Sequence, residues 1–419
     1  MPNSSKQKTN LQASDASQHE PVIAEGEWKI VGWDHNPPEP FEGFGGTVGL
    51  GQDVVRLDNG TWLVVFHAGY WHCSAATPMV VPPQTIEKWK QAGYPADHVA
   101  PQGGRILSMR SCDEGRTWSR PSTLLVTRWD VSPVGMNRLE DGTLLLFVNQ
   151  QASWYGLDAA PEGHLQVNTR IGVIRSTDDG QTWSEIDWLK APRSFYQRAY
   201  AQAVRRPDGV LLYPTYTADR FDGVLHGAVH CSDDDGCSWH LLAELARDDG
   251  EHLDEPSLTV LPDGRIMLMT RLDAAVFYSD DGGQTWRFSH HAPFAPFKAH
   301  RTAVLSDGTV VCWMTSRNIL RVSWSADGGV TWKTDDDGLA FPLADRYGYP
   351  GGCVLPDGSI LAVYYDTCGH QCRTDVWALR FGVSKDRSQV VRFPAPIDTK
   401  PSTTAPSAGD HELDVDAMN

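Results

Sequence analysis

The chain has 419 residues, of which 41% are hydrophobic, 21% charged and 10% aromatic, enough apolar material for a large packed core and incompatible with a wholly disordered polymer. Fifty-three acidic against 36 basic residues give a formal net charge of −17, a field that repels phosphate backbones and anionic bilayers and so argues against nucleic-acid and membrane partners. Glycine at 38, proline at 27 and tryptophan at 16 suit a turn-rich all-β chain, because Gly and Pro punctuate strands and aromatics favour pleated surfaces.

The first 26 residues are polar (SSKQKTNLQASDASQHE) and lack the about 7 to 15 apolar residues of a secretory leader. They read as a disordered segment (1–26) of a cytoplasmic protein, since no stretch approaches the ~18 apolar residues that span a bilayer. From residue 27 two repeated turns alternate. The first is an apolar strand, a D-G or N-G turn and a second apolar strand, at 54–66, 136–148, 203–214, 258–269, 303–314 and 353–365. Asp-Gly between alternating β-branched runs signals a hairpin, with a primed turn expected because Gly supplies positive φ without steric cost.

The second repeat is S-x-D-x-G-x-[TS]-W, at 111–118, 176–183, 232–239, 279–286 and 325–332. Its acid and hydroxyl groups can hydrogen-bond the turn's own backbone, and its Trp is expected to pack back between sheets. One or two carboxylates per turn fall short of the six to eight oxygens that calcium takes. Cys368, His370 and Cys372 lack the fourth ligand of a structural zinc site, and the eight cysteines are scattered as in a reduced chain. No metal or cofactor is expected. Alternating the two turns yields a unit of four antiparallel strands, and six units predict a six-bladed β-propeller over 27–384, followed by a disordered tail (385–419). The oligomeric state is not legible.

Both repeated turns fall on one end of such a propeller, so the opposite end carries the irregular loops where function concentrates. That end offers Gln52, Asp53, His67, Tyr70, Trp71 and His72 from blade one, then Ser132, Gln150, Gln151 and Trp154 from blade two. Blade three adds Arg198, Tyr200, Gln202, Asp219 and Arg220; blade four His252, Asp254, Glu255, Arg271 and Asp273. Blade five adds Lys298, His300, Arg301, Arg317 and Arg321, and blade six Tyr347, Tyr349, Asp366 and His370. The set is polar, aromatic and rich in Arg, and suits an anionic sugar: rings stack on pyranose faces and guanidinium forks grip a carboxylate. The segment from Trp71 to Gly104, with TIEKWKQAG readable as a short helix, is expected to wall the site.

Five Asp-containing boxes in one chain resemble the Asp-box (BNR-repeat) sialidase superfamily of six-bladed propellers, over about residues 44–384. That family places a Glu nine residues before the D-G turn's glycine and an Arg seven after it, and Glu255, Gly264 and Arg271 match. The family's nucleophilic Tyr stands nine before the last turn's glycine, as Tyr349 does before Gly358. A further family Arg is matched by Arg317, in Arg-x-x-Leu, with Arg321 as competitor. The first blade departs: no Arg stands near Leu50, where the family's carboxylate clamp begins, and no Asp lies between Gly69 and Asp97, where its acid/base is due. His72, His67 and Asp53 are the local substitutes for a proton donor.

The resemblance implies a glycosidase releasing an anionic, sialic-acid-like or uronic sugar. Tyr349 and Glu255 form its nucleophilic pair, and Arg271, Arg317, Arg321, His67, Gln202 and Arg301 contact substrate. Two alternatives stay open: a polysaccharide lyase acting on a uronic acid, and a carbohydrate-binding propeller without catalysis.

Overall fold

The computed structural model describes residues 25–31, 47–68, 105–127, 130–151, 169–193, 196–220, 223–316, 319–335, 338–339, 348–366 and 375–397. The expected short helix at 85–93, His72, Arg317, the Cys368 to Cys372 cluster and most of the two expected terminal segments lie outside them.

Six antiparallel sheets succeed one another along the chain and make a six-bladed β-propeller. Blade one is Thr47–Arg56, Trp62–Ala68, Arg105–Ser111 and Ser122–Leu125. Blade two is Asp130–Arg138, Leu144–Gln151, Arg170–Ser176 and Asp187–Trp188. Blade three divides its first strand into Tyr196–Arg198 and Val204–Arg205, then continues with Leu211–Ala218, His226–Ser232 and His240–Leu245. Blade four is Ser257–Val260, Ile266–Met269, Ala275–Ser279 and Arg287–His291, and blade five is Ala299–Val304, Val310–Ser316, Ile319–Ser325 and Lys333–Thr334.

Blade six takes Gly351–Val354, Ile360–Asp366 and Asp375–Val383, and completes its outer edge from both ends of the chain. Glu27–Val31 pairs with the Asp375–Val383 strand at Leu379, Ala378, Trp377 and Val376, and Val390–Arg392 pairs with the same strand at Phe381 to Val383. The sixth sheet therefore takes in residues beyond the expected boundary at 384.

A sheet buried on both faces must be apolar throughout, and the second strand of blade one, WLVVFHA, is buried at every position. Six apolar clusters among the described residues fill the six interfaces between neighbouring sheets. Each box tryptophan packs into one of them: Trp118, Trp183, Trp239, Trp286 and Trp332. Within the boxes the hydrogen bonding repeats. In the first, Ser111 Oγ donates to Asp113 Oδ1 at 2.8 Å and accepts from the Gly115 amide at 2.8 Å, and Thr117 Oγ1 donates to Asp113 Oδ2 at 2.6 Å.

The D-G turns form where the sequence places them but are not primed. In the first, the Gly60 amide donates to the Leu57 carbonyl, the Leu57 amide donates to the Thr61 carbonyl, and only Gly60 has positive φ, at 87°. Asp58 and Asn59 keep ordinary backbone angles, which gives a three-residue loop closed by a left-handed glycine. All six turns repeat the pattern.

Candidate active site

Glu255 and Arg271 flank one hairpin. Glu255 precedes Ser257–Val260, Arg271 follows Ile266–Met269, and Ser257 pairs with Met269, so symmetry about Asp263 brings the two side by side. The Arg271 amide donates to the Asp254 carbonyl at 2.9 Å and fixes the juxtaposition. Three non-glycine residues at this end of blade four hold positive φ, Glu255 at 39°, Leu272 at 68° and Ala274 at 53°, a concentration of backbone strain of the kind found at functional sites.

Tyr349 arrives from blade six, just before Gly351–Val354. A Cβ on Gly351 would meet the Gln52 carbonyl oxygen at 2.1 Å, and one on Gly352 the Leu361 carbonyl oxygen at 2.4 Å. Only glycine lets this strand press against blade one while presenting Tyr349 to the central well. The Tyr349 carbonyl accepts from Gln52 Nε2 and from Tyr200 Oη. Its ring meets Tyr200 edge-on at 4.8 Å and lies parallel to Tyr365 at 6.2 Å.

The three functional groups close a triangle. Tyr349 Oη donates to Glu255 Oε1 at 2.9 Å, Arg271 Nη1 donates to the same oxygen at 2.8 Å, and Arg271 Nη1 lies 3.0 Å from Tyr349 Oη. Asp254 Oδ2 stands 3.7 Å from Arg271 Nε. Glu255 is 4% exposed, and burial pushes its carboxyl up to about 7 against the opposing pull of Arg271. Burial likewise raises the Tyr349 phenol well above its ordinary value, although Arg271 lowers it. Burial works against the charge of Arg271, but Glu255, Tyr349 and Asp254 together keep that group protonated. The arrangement holds a phenol, a base near neutrality and a permanent cation on one spot.

Glu255 and Tyr349 line a cleft together with Gly51, Ser132, Val134, Asn149, Arg198, Ala199, Tyr200 and Tyr216, and Arg271 reaches it only through its contacts with those two. Asn149 and Tyr216 escape a reading confined to strand-end loops. Asn149 was detectable as the cross-strand partner of Ser132.

The other expected site residues are placed differently. Asp53 is 0% exposed. Its Oδ1 accepts from the Val54 and Gly352 amides at 3.0 and 2.8 Å, and its Oδ2 accepts from the Met136 amide at 2.8 Å and Gln202 Nε2 at 3.1 Å. A carboxylate so engaged is a junction between blades and not a proton donor to a substrate; burial raises its pKa. Gln202 spends its amide on Asp53 and on the Met136 and Gly352 carbonyls. Arg301, 2% exposed, donates to the Val134 carbonyl at 3.0 Å and covers the Tyr200 ring at 3.9 Å. Neither is among the residues lining the cleft; Arg301 touches two that are, Val134 and Tyr200. His67 is fully buried on Trp62–Ala68, because both faces of that second strand are covered by neighbouring sheets. Arg321 lies on the third strand of blade five, paired with Met314, and does not line the cleft.

Comparison with known proteins agrees with this architecture. The BNR repeat-like domain family matches residues 130–363. A sialidase of Micromonospora viridifaciens is 28% identical over 65% of this chain and 46% of its own length, and a sialidase of Bacteroides fragilis is 23% identical over 62% and 54%. The chain thus spans about half the length of these curated relatives. Among solved structures, a Dyadobacter fermentans protein of unknown function superposes with a TM-score of 0.61 at 19% identity, covering 84% of this chain and 98% of its own. The NanB sialidase of Streptococcus pneumoniae (K499G mutant) gives 0.56 at 14% identity over 79% and 68%, and the intramolecular trans-sialidase of Ruminococcus gnavus 0.55 at 15% over 81% and 95%. With more than half of its length matched and its six sheets arranged in this way, the chain belongs to the BNR repeat-like family and is a propeller of the sialidase superfamily.

Proposed function

We propose that this protein is a sialidase-like glycoside hydrolase that releases an anionic terminal sugar, with Tyr349 as nucleophile, Glu255 as its base and Arg271 as a partner of the sugar's carboxylate. The observation that carries the reading is the triangle of Tyr349 Oη, Glu255 Oε1 and Arg271 Nη1, with sides of 2.9, 2.8 and 3.0 Å, two of whose members, Tyr349 and Glu255, line the cleft. An anomeric carbon that already bears a carboxylate repels an anionic nucleophile, and a neutral phenol avoids that repulsion until the moment of attack. As Tyr349 Oη bonds to the anomeric carbon, its proton passes to Glu255 Oε1 and the bond to the leaving oxygen breaks. Water then takes the place of the phenol oxygen, giving its proton to the group that protonated the leaving oxygen and so restoring that acid, and Glu255 returns the first proton to Tyr349.

Two inputs come from elsewhere. With Asp53 and His67 buried in the scaffold, His72 is the first-blade candidate left for protonating the leaving oxygen. Arg198, which lines the same cleft from blade three, offers a second guanidinium where the first blade has none. Sialidase relatives support a carbohydrate substrate at the level of family.

The test is Tyr349→Phe assayed on a fluorogenic sialoside. Turnover should vanish while binding of the sugar stays within about tenfold, ~1.4 kcal/mol. Unchanged turnover would remove the mechanism, and an unsaturated product absorbing in the ultraviolet would establish elimination instead.

A further inference from the structure

The turn that carries Arg271 is held in shape by groups that do not line the cleft. Thr270 to Ala274 joins Ile266–Met269 to Ala275–Ser279, and within it Leu272 and Ala274 hold positive φ at 68° and 53°. Among the described residues seven non-glycine positions have positive φ. Three occupy equivalent places in the Asp-containing boxes, Arg387 sits in the turn after Asp375–Val383, and the other three, Glu255, Leu272 and Ala274, gather here. Unfavourable angles persist only where surrounding contacts over-determine them. Asp273, between the two strained residues, makes most of those contacts. Its Oδ1 accepts from Thr270 Oγ1 at 3.2 Å and the Ala275 amide at 3.3 Å, its amide donates to the Arg271 carbonyl at 3.1 Å, and its carbonyl accepts from His291 Nδ1 at 2.9 Å.

Arg247 reaches the same residue from outside blade four. It follows the His240–Leu245 strand of blade three, opens the segment that leads to Glu255, and has a side chain only 5% exposed. Its Nε and Nη2 grip Asp249 at 2.9 and 2.6 Å, and its Nη1 donates to Asp273 Oδ2. One guanidinium therefore ties the approach to Glu255 to the turn that presents Arg271. Neither Arg247 nor Asp273 lines the cleft. The Asp273 side chain is 37% exposed, so water screens the pair and its share in global stability is small.

We infer that Asp273, gripped by Arg247, is a positioning residue of the site: it keeps the strained turn in the form that sets the Arg271 guanidinium against Glu255 Oε1 and Tyr349 Oη. The brace rests on the turn's geometry; its weight in turnover rests on the proposed hydrolase reading. Without the brace the turn relaxes its two strained residues, and Arg271 withdraws from Glu255. Glu255 faces Arg271, Asp254, Tyr349 and Tyr200, and Arg271 is the cation among them that opposes the rise burial imposes on its carboxyl. Losing that contact moves the Glu255 midpoint up. The direct effect of deleting Asp273 has the opposite sign, since removing a nearby anion and leaving Arg247 less neutralised favours an ionised Glu255. An upward movement is therefore the mark of a displaced Arg271, which neither the lost charge nor a merely structural role produces.

The test follows the Glu255 carboxyl by 13C NMR titration of the full chain labelled at its glutamates, with the Glu255 signal assigned by its absence from Glu255→Gln. The midpoint should lie at about 7 in the intact protein and rise by about half a pH unit or more in Asp273→Ala. Asp273→Asn, which keeps an oxygen for Thr270 and the Ala275 amide but loses the ion pair, should move it the same way by less. Both variants should melt within about 4 °C of the intact protein, and kcat/KM of Asp273→Ala on a fluorogenic sialoside should fall about tenfold or more. If Asp273→Ala does not fold, the sign of the movement in Asp273→Asn decides. A midpoint that stays or falls in the folded variants would overturn the brace, as would the failure of both to fold. A midpoint that rises in a protein turning over no sialoside would leave the brace standing and remove the hydrolase reading instead.

Discussion

Burial and one neighbouring cation set the chemistry of Glu255. Desolvation holds its carboxyl up to about 7, and Arg271 limits the rise, so the group changes charge where a general base is most effective. On the proposed mechanism Glu255 must be ionised to take the proton of Tyr349, so kcat/KM should climb with pH through about 7. Arg271→Met, which takes away the opposing cation, should move that climb to higher pH as well as weakening anion binding. A pH profile whose acid limb sits in the ordinary carboxylate range, unmoved by the substitution, would contradict the assignment. Glu255 and Arg271 were singled out in the sequence by their spacing from the D-G turn in a resembling family, and the hairpin gives the physical reason they meet: each stands eight residues from its centre at Asp263. Asp53, Gln202 and Arg301 were misread for the opposite reason. Their polarity resembles that of a site, but their burial depends on inner strands contributed by distant blades, which local pattern does not reveal.

The acid-and-tryptophan turns couple stability to pH at the scale of single elements. The carboxyls of Asp113 and Asp281 are held down at about 2, first by the hydroxyls of Thr117 and Thr285 and then by the backbone amides of the same residues. A depressed folded value means that the folded turn binds fewer protons than the unfolded one. The contribution is therefore complete above the ordinary aspartate range and is lost as pH falls toward about 2. Asp113→Asn and Asp281→Asn should lower the melting temperature at neutral pH and flatten its acid dependence, as read by thermal unfolding from pH 2 to 7. An unaltered acid slope would show that these turns contribute nothing. The position of every such turn was plain from S-x-D-x-G-x-[TS]-W, and so was that of the D-G hairpins. The type of hairpin was not, since a D-G pair suits either a primed turn or a left-handed glycine after an ordinary one, and the choice is made by loop length.

The ring as a whole is held by contacts between the ends of the chain and across its axis. Trp28, 1% exposed, packs with Trp62, Leu361 and Val376 in the interface where blade six meets blade one. Trp28→Ala should destabilise the fold by about 3–5 kcal/mol. Asp53 joins backbone from blades one, two and six and a side chain from blade three, and Arg301 of blade five lies 3.8 Å away. Asp53→Ala would strand those donors and a buried cation at a comparable cost, about 3–5 kcal/mol. Denaturant unfolding of both variants checks the pair, and a loss under about 1 kcal/mol at either site would refute its structural role. The closing strand Glu27–Val31 went unseen in the sequence because its pattern is ordinary and its partners lie at the far end of the chain, whereas the blade count followed directly from the repeats.

The most direct test of the central claim is to trap the sugar on the enzyme with a fluorinated sialosyl fluoride and locate the adduct by peptide mass spectrometry. The account predicts a single sugar carried by the peptide containing Tyr349, absent from Tyr349→Phe and formed faster as pH rises through about 7. Turnover without any adduct, or an adduct on another residue, would contradict it.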